Sequence, residues 1–300
     1  MPDDPTPHEP NPPQPPGPAA TGPFEPLLPP QMAARAEDVG VAKGKMAVLP
    51  LFMLAILAGA FIAMGSIFFT TVVTGADDLP WGVTRLVGGL AFCLGLILVV
   101  VAGAELFTGN NLLVMALVSR KLSAAALLRN WGIVYAGNFI GAILTAVLML
   151  LTGQYLMSDG AVGVTALNIA NDKCQLRWLE AFTRGIYCNA LVCLAVWLCL
   201  ACRTVADKIL AILFPITAFV AAGFEHSVAN MYFIPIGLFI SETATEPFWA
   251  MTGTTPESYT ELAWSNFFLV NLIPVTLGNI IGGSVFVGLI YWLVYRRSAA

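Results

Sequence analysis

Six apolar stretches, each long enough to cross a lipid bilayer, leave this chain little else to fold into. They run over about residues 47–74, 84–118, 129–156, 177–202, 206–240 and 264–295. A membrane-spanning helix needs roughly twenty mainly apolar residues, and stretches of that length fill most of the sequence. Charged residues make up 11% of the chain and mean hydropathy is +0.79, whereas a soluble domain carries about a quarter charged residues. The expected fold class is therefore an all-α integral membrane protein with six transmembrane helices. A net charge of −4 without a large basic patch gives no reason to expect a nucleic-acid partner.

The ends of the chain read differently. Residues 1–23 are proline-rich and polar, which suits a disordered tail better than a helix or a core. They do not resemble a signal peptide, so the first apolar helix is expected to act as its own insertion signal. Residues 24–45 mix Met32, Ala33, Ala36, Val39 and Val41 with charges, the pattern of an amphipathic helix against a membrane surface. Residues 46–297 form the six-helix unit. With the N-terminus inside, ten Lys and Arg residues fall on the cytoplasmic side and four on the other. Both termini are thus predicted to be cytoplasmic.

Segments 2 and 5 are too long. Each runs for 35 residues, and an unbroken helix of that length would reach about 52 Å across a core only about 30 Å thick. Both carry a polar, glycine-containing middle of the form G-x-E-x-x-x-x-N: Gly103, Glu105 and Asn110 in one, Gly223, Glu225 and Asn230 in the other. Helices 2 and 5 are predicted to break there. The third and sixth segments share a second pattern, Gly137-Asn138-Phe-Ile140-Gly141 and Gly278-Asn279-Ile-Ile281-Gly282. Segments 1–3 and 4–6 thus read as two copies of one unit. Three helices per copy put the second copy in the membrane upside down, as an inverted repeat with its substrate path between the broken helices.

Non-helical backbone at membrane depth survives only where it is buried or lines a cavity, so the breaks are the first place to look for a site. His226 lies in the second break and is the only histidine outside the tail. An ionisable residue there is a functional candidate, although a neutral histidine bonded within the bundle would fit as well. Glu105 and Glu225 could form a carboxylate pair, but capping amides freed by the breaks is the better account. Thr108 and Asn110 could donate to a passing anion or satisfy the loop. Asn138 and Asn279 suit interhelical hydrogen bonds. Phe92 and Phe219 precede their breaks and could pack or narrow a pore. Lys173 reads as a loop charge, either simply solvated or drawing anions to a vestibule. Five of the six cysteines lie in or at the end of apolar stretches, and the lone pair Cys199 and Cys202 has no second ligand pair. No metal or cofactor is expected. Nor is an enzyme, because no Ser/His/Asp or His-x-x-x-His set exists.

The stretches GAELFTGNNL (103–112), NWGIVYAGNFIGA (130–142), RGIYCNALVCLAVW (184–197), AAGFEHSVANMYFIPIG (221–237) and NLIPVTLGNIIGG (271–283) resemble the formate/nitrite transporter family. PLLPPQMAARAEDVGVAKGK (26–45) and ANDKCQLRWLEAFTRGI (170–186) look most like its formate channel branch. The resemblance implies an aquaporin-like fold, a homopentamer in the inner membrane with one pore per subunit, and formate or a similar small anion as the permeant. It implies one constriction at Phe92, Leu96 and Val192 and another at Phe219, Leu106 and Phe107. His226 and Thr108 would sit at the pore centre, Lys173 at the mouth and Asn189 along the lining. Glu225 and Asn279 would hold His226 from behind, with Glu105 their counterpart. Nitrite, hydrosulfide or lactate are the alternative substrates, and a neutral solute a further one. Residues 1–22 extend beyond the family's usual start.

Overall fold

The computed structural model describes residues 25–297, so the expected tail at 1–23 lies outside the described residues. Everything regular among the described residues is helical. The amphipathic segment forms α1 (Pro29–Gly44), with proline in its first turn, where its missing N–H costs nothing. Then come α2 (Val48–Val73), α3 (Trp81–Ala102), α4 (Val114–Val118), α5 (Ala124–Leu151), α6 (Ala161–Cys174), α7 (Trp178–Ala201), α8 (Val205–Ala221), α9 (Ser227–Thr243) and α10 (Glu246–Thr252). A last helical run, α11 (Trp264–Tyr295), widens to π geometry over Phe267–Leu272 and Ile281–Leu289. Five of these, α2, α3, α5, α7 and α11, are long and apolar enough to cross a membrane.

Both long segments break where their glycines predict. α3 ends at Gly103 (φ +83°) and α8 at Gly223 (φ +73°), a left-handed backbone that favours glycine. After the first break the chain makes a short 3₁₀ turn and α4; after the second it makes the 17-residue α9, buried over almost its whole length. Segment 5 is thus two half-length helices, neither long enough to span alone.

The two Gly-Asn motifs mark close helix contacts. α5 lies against α2, where a Cβ on Gly141 would come within 2.0 Å of the Ile56 carbonyl oxygen. α11 lies against α7 in the same way, with a Cβ on Gly282 meeting the Ile186 carbonyl at 2.1 Å. Only glycine lets the backbones approach so closely. The sequence expectation fails in the segment before α7. Lys173 is not in a loop: residues 161–174 form α6, which packs beside α9 and delivers Lys173 from its last turn. The third segment also starts earlier than expected, because Ser123 caps α5 by accepting from the Ala126 amide at 3.2 Å.

α1 packs on the unit through a buried carboxylate. Glu37, with no exposed surface, accepts from Ser119, from Lys121 at 2.6 Å and from Arg296 at 3.0 and 3.1 Å. Burial pushes its carboxyl pKa up, but these three donors outweigh it and hold the group below its ordinary value.

Candidate functional site: two cavities and a Thr108–His226 contact

Each break is stitched by the asparagine of a Gly-Asn motif. In the first, Asn138 accepts from the Phe107 amide at 2.9 Å and donates to the carbonyls of Ala55 (2.7 Å) and Glu105 (2.9 Å). In the second, Asn279 accepts from the Ser227 amide at 2.9 Å and donates to Gly185 (2.8 Å) and Glu225 (3.0 Å). These side chains replace the helical partners the breaks remove. The glutamates do not cap amides, contrary to expectation.

Their carboxylates bind lysines instead. Lys43 of α1 reaches Glu105 at 3.0 Å and the Asn110 side-chain oxygen at 2.8 Å. Asn110 in turn donates to Glu105 and to Asn130, at 2.8 and 3.0 Å. Lys173 of α6 reaches Glu225 at 2.8 Å, and Asn230 donates to Glu225 and Asn271 at 2.6 and 2.7 Å. Burying a carboxylate costs several kcal/mol unless a cation and hydrogen bonds compensate it, and here both are present. The sequence reading missed Lys43, Asn130 and Asn271 as partners. The offset between Asn130 and Asn271 equals that between Asn138 and Asn279, which was the available signal.

The two networks border separate cavities. One, of about 480 Å³, is lined by Arg35, Lys43, Leu96, Glu105, Leu106 and Lys208, among others. The other, of about 200 Å³, is lined by Arg85, Phe92, Lys173, Phe219, Glu225 and His226, among others. Phe92 and Leu96 are one helical turn apart on α3 and face different cavities, so only about 6 Å of helix rise separates the chambers there.

The residues expected at the constrictions fall on both sides. The Phe92 and Phe219 rings meet edge to face at 5.6 Å, so they stand together on the Lys173 side. Leu96 and Leu106 share the Lys43 side. Phe107 packs its ring on Trp131 and Tyr135, and Val192 is buried in the core. Asn189 donates to the Thr108 and Asn279 carbonyls and to Asn111.

Thr108 Oγ1 lies 2.9 Å from His226 Nε2; His226 lines the smaller cavity, and Gly109, next to Thr108, lines the larger one. Thr108 and His226 are both buried. His226 caps α9, its Nδ1 accepting from the Ala229 amide at 3.0 Å. That leaves the proton of the neutral ring on Nε2, where it donates to Thr108. The threonine hydroxyl then keeps its own hydrogen for another acceptor. Neither Glu225 nor Asn279 hydrogen-bonds the imidazole; Asn279 fixes the backbone on either side of it, and the Glu225 carboxylate holds Lys173. Among the described residues no group of three or more His, Cys, Asp or Glu side chains could hold a metal.

Five apolar spans with two cation-lined cavities and a buried Thr108–His226 contact define a multi-pass membrane protein of the channel or transporter class. The family model for the formate/nitrite transporter matches residues 30–293, and the chain belongs to that family. It is 46% identical to the formate channel FocA of Escherichia coli strain K12 over 278 residues, 93% of this chain and 98% of the relative. A solved structure described as a pentameric formate channel with formate bound superposes with a TM-score of 0.80 at 48% identity, covering 83% of this chain and 98% of the other. A second, described as an FNT family ion channel, gives 0.76 at 28% identity, covering 88% and 98%.

Proposed function

We propose that the chain is a formate channel of the cytoplasmic (inner) membrane, with both termini in the cytoplasm, working as a homopentamer with one pore per subunit. Its six spans form two inverted three-helix repeats on an aquaporin-like plan, counting the two halves of segment 5 as one. The matched Lys–Glu–Asn–Asn networks and the matched Gly103 and Gly223 ends support that repeat.

The observation that carries the reading is the buried Thr108–His226 contact, with His226 lining one chamber and Gly109, next to Thr108, lining the other, and each chamber holding a lysine at its broken helix. Lys43 and Lys173 raise the local concentration of a small anion. Phe92 with Phe219, and Leu96 with Leu106, are the constrictions. A bare anion pays heavily to leave water, more than its neutral acid does. The Thr108 hydroxyl, its oxygen held by the His226 Nε2–H, is a donor where that cost peaks. α9 adds the positive end of a helix dipole beside them. No residue acts as a catalyst and no cofactor takes part.

The test is flux into sealed proteoliposomes of formate against nitrite, hydrosulfide, lactate and glycerol at two pH values. Formate entry that outruns glycerol and depends on pH is expected. Equal entry of formate and glycerol at both pH values would overturn the reading.

A further inference from the structure

Arg85 belongs to none of the motifs above, yet it joins the two elements that carry Phe92 and Phe219. Its Nη2 donates to the Val220 carbonyl at 2.5 Å and its Nε to the Ala221 carbonyl at 3.1 Å. Both lie in the last turn of α8, where a helix leaves carbonyls short of partners. The end of a helix also carries a partial negative charge of roughly half an electron. That end borders the Lys173 cavity, which Val220 and Gly223 help to line. Uncompensated, it would repel an anion at the mouth where Lys173 draws it in.

The same contact fixes a distance. Below Arg85 the α3–α8 seam continues with Gly89, whose Cβ would meet the Thr217 carbonyl at 2.8 Å, and with Cys93, whose sulfur lies 3.4 Å from the Thr217 hydroxyl. Phe92 and Phe219 meet within this seam, and Arg85 is its outermost tie. The other mouth lacks such a tie. α3 ends there at Ala102, and among the described residues no side chain donates to its last-turn carbonyls.

We propose that Arg85 is a positioning and charge-selecting residue of the pore. It cancels the negative end of α8 at the Lys173 mouth and sets the α3–α8 spacing at which Phe92 and Phe219 discriminate against neutral solutes. This rests on the channel reading above. Arg85→Gln keeps a donor without the charge, and Arg85→Lys keeps the charge with a single ammonium. Formate and glycerol fluxes are measured in proteoliposomes at low and high salt, on material whose assembly is checked by size exclusion.

The formate-to-glycerol flux ratio of Arg85→Gln is expected to fall roughly three- to tenfold at low salt, the size of a lost charge–dipole contact. Arg85→Lys should keep the ratio within about twofold. An unchanged ratio in Arg85→Gln would overturn the proposal. If that variant fails to assemble, Arg85→Lys decides: a kept ratio supports the charge role and a collapsed ratio removes it. Failure of the channel reading looks different, because the unmodified protein would then show no preference for formate over glycerol.

Discussion

The two breaks share a scaffold and differ in chemistry. Each begins at a left-handed glycine, is stitched by one asparagine and buries a glutamate paired with a lysine. Yet the residue after the glutamate is Leu106 in one and His226 in the other. Lys43 bonds both its glutamate and Asn110, whereas Lys173 bonds Glu225 alone and lies 5.6 Å over the Phe233 ring. The Asn230 side-chain oxygen, equivalent to the Asn110 acceptor, is buried without a partner. The second break therefore keeps more unsatisfied polar capacity at its cavity than the first. The polar bridge needs one residue from each half, Thr108 from the first break and His226 from the second. Duplicated scaffolding supplies the frame, and the divergence within it supplies the site.

The glutamates give the largest expected difference. Glu225→Ala would strand Lys173, whose side chain is 16% exposed, and should destabilise the fold by about 3–5 kcal/mol. Glu105→Ala should cost less, about 1–3 kcal/mol, because Lys43 is 26% exposed and keeps Asn110. Thermal unfolding of both variants in detergent checks the order; equal losses would erase the asymmetry. The close helix contacts should behave alike in the two halves. Gly141→Ala and Gly282→Ala each force a backbone apart and should cost about 1–3 kcal/mol. A large gap between them in the same unfolding assay would show that the two contacts are not equivalent.

The smallest effect concerns the short helices. α1 is latched by the buried Glu37, while α6 has the fully buried, apolar Leu167 in its middle. Because the folded Glu37 pKa lies below its ordinary value, the latch is present at neutral pH and is lost as pH falls toward that lowered value. Amide exchange should show α1 losing about 1–2 kcal/mol of protection in acid, with Glu37→Gln insensitive to pH. Equal acid sensitivity in the Gln variant would assign the effect to another group.

Much of the frame was legible in the sequence. Apolar length marked the five helices long enough to span, and the glycine–glutamate spacing placed both breaks, because an overlong apolar run must break where glycine and polar groups gather. The Gly-Asn motifs marked the close helix pairs. What was not legible depends on contacts distant in sequence. Lys173 read as a loop charge because α6 is short, moderately polar and held mainly by packing on α9. The glutamates read as amide caps because nothing local indicates that lysines from α1 and α6 reach them. The meeting of Phe92 and Phe219 was not legible, since the α3–α8 pairing that brings them together leaves no local pattern. Arg85 was invisible for the same reason: its partners are carbonyls more than a hundred residues away.

The most direct test of the central claim is formate flux through Thr108→Val in sealed proteoliposomes, beside the unmodified protein and with glycerol as control. The side chain is nearly isosteric but removes the hydroxyl and orphans the His226 donor. Formate flux is expected to fall about tenfold or more, with glycerol entry unchanged. Undiminished formate flux in a properly assembled variant would contradict the account and place the path away from the Thr108–His226 contact.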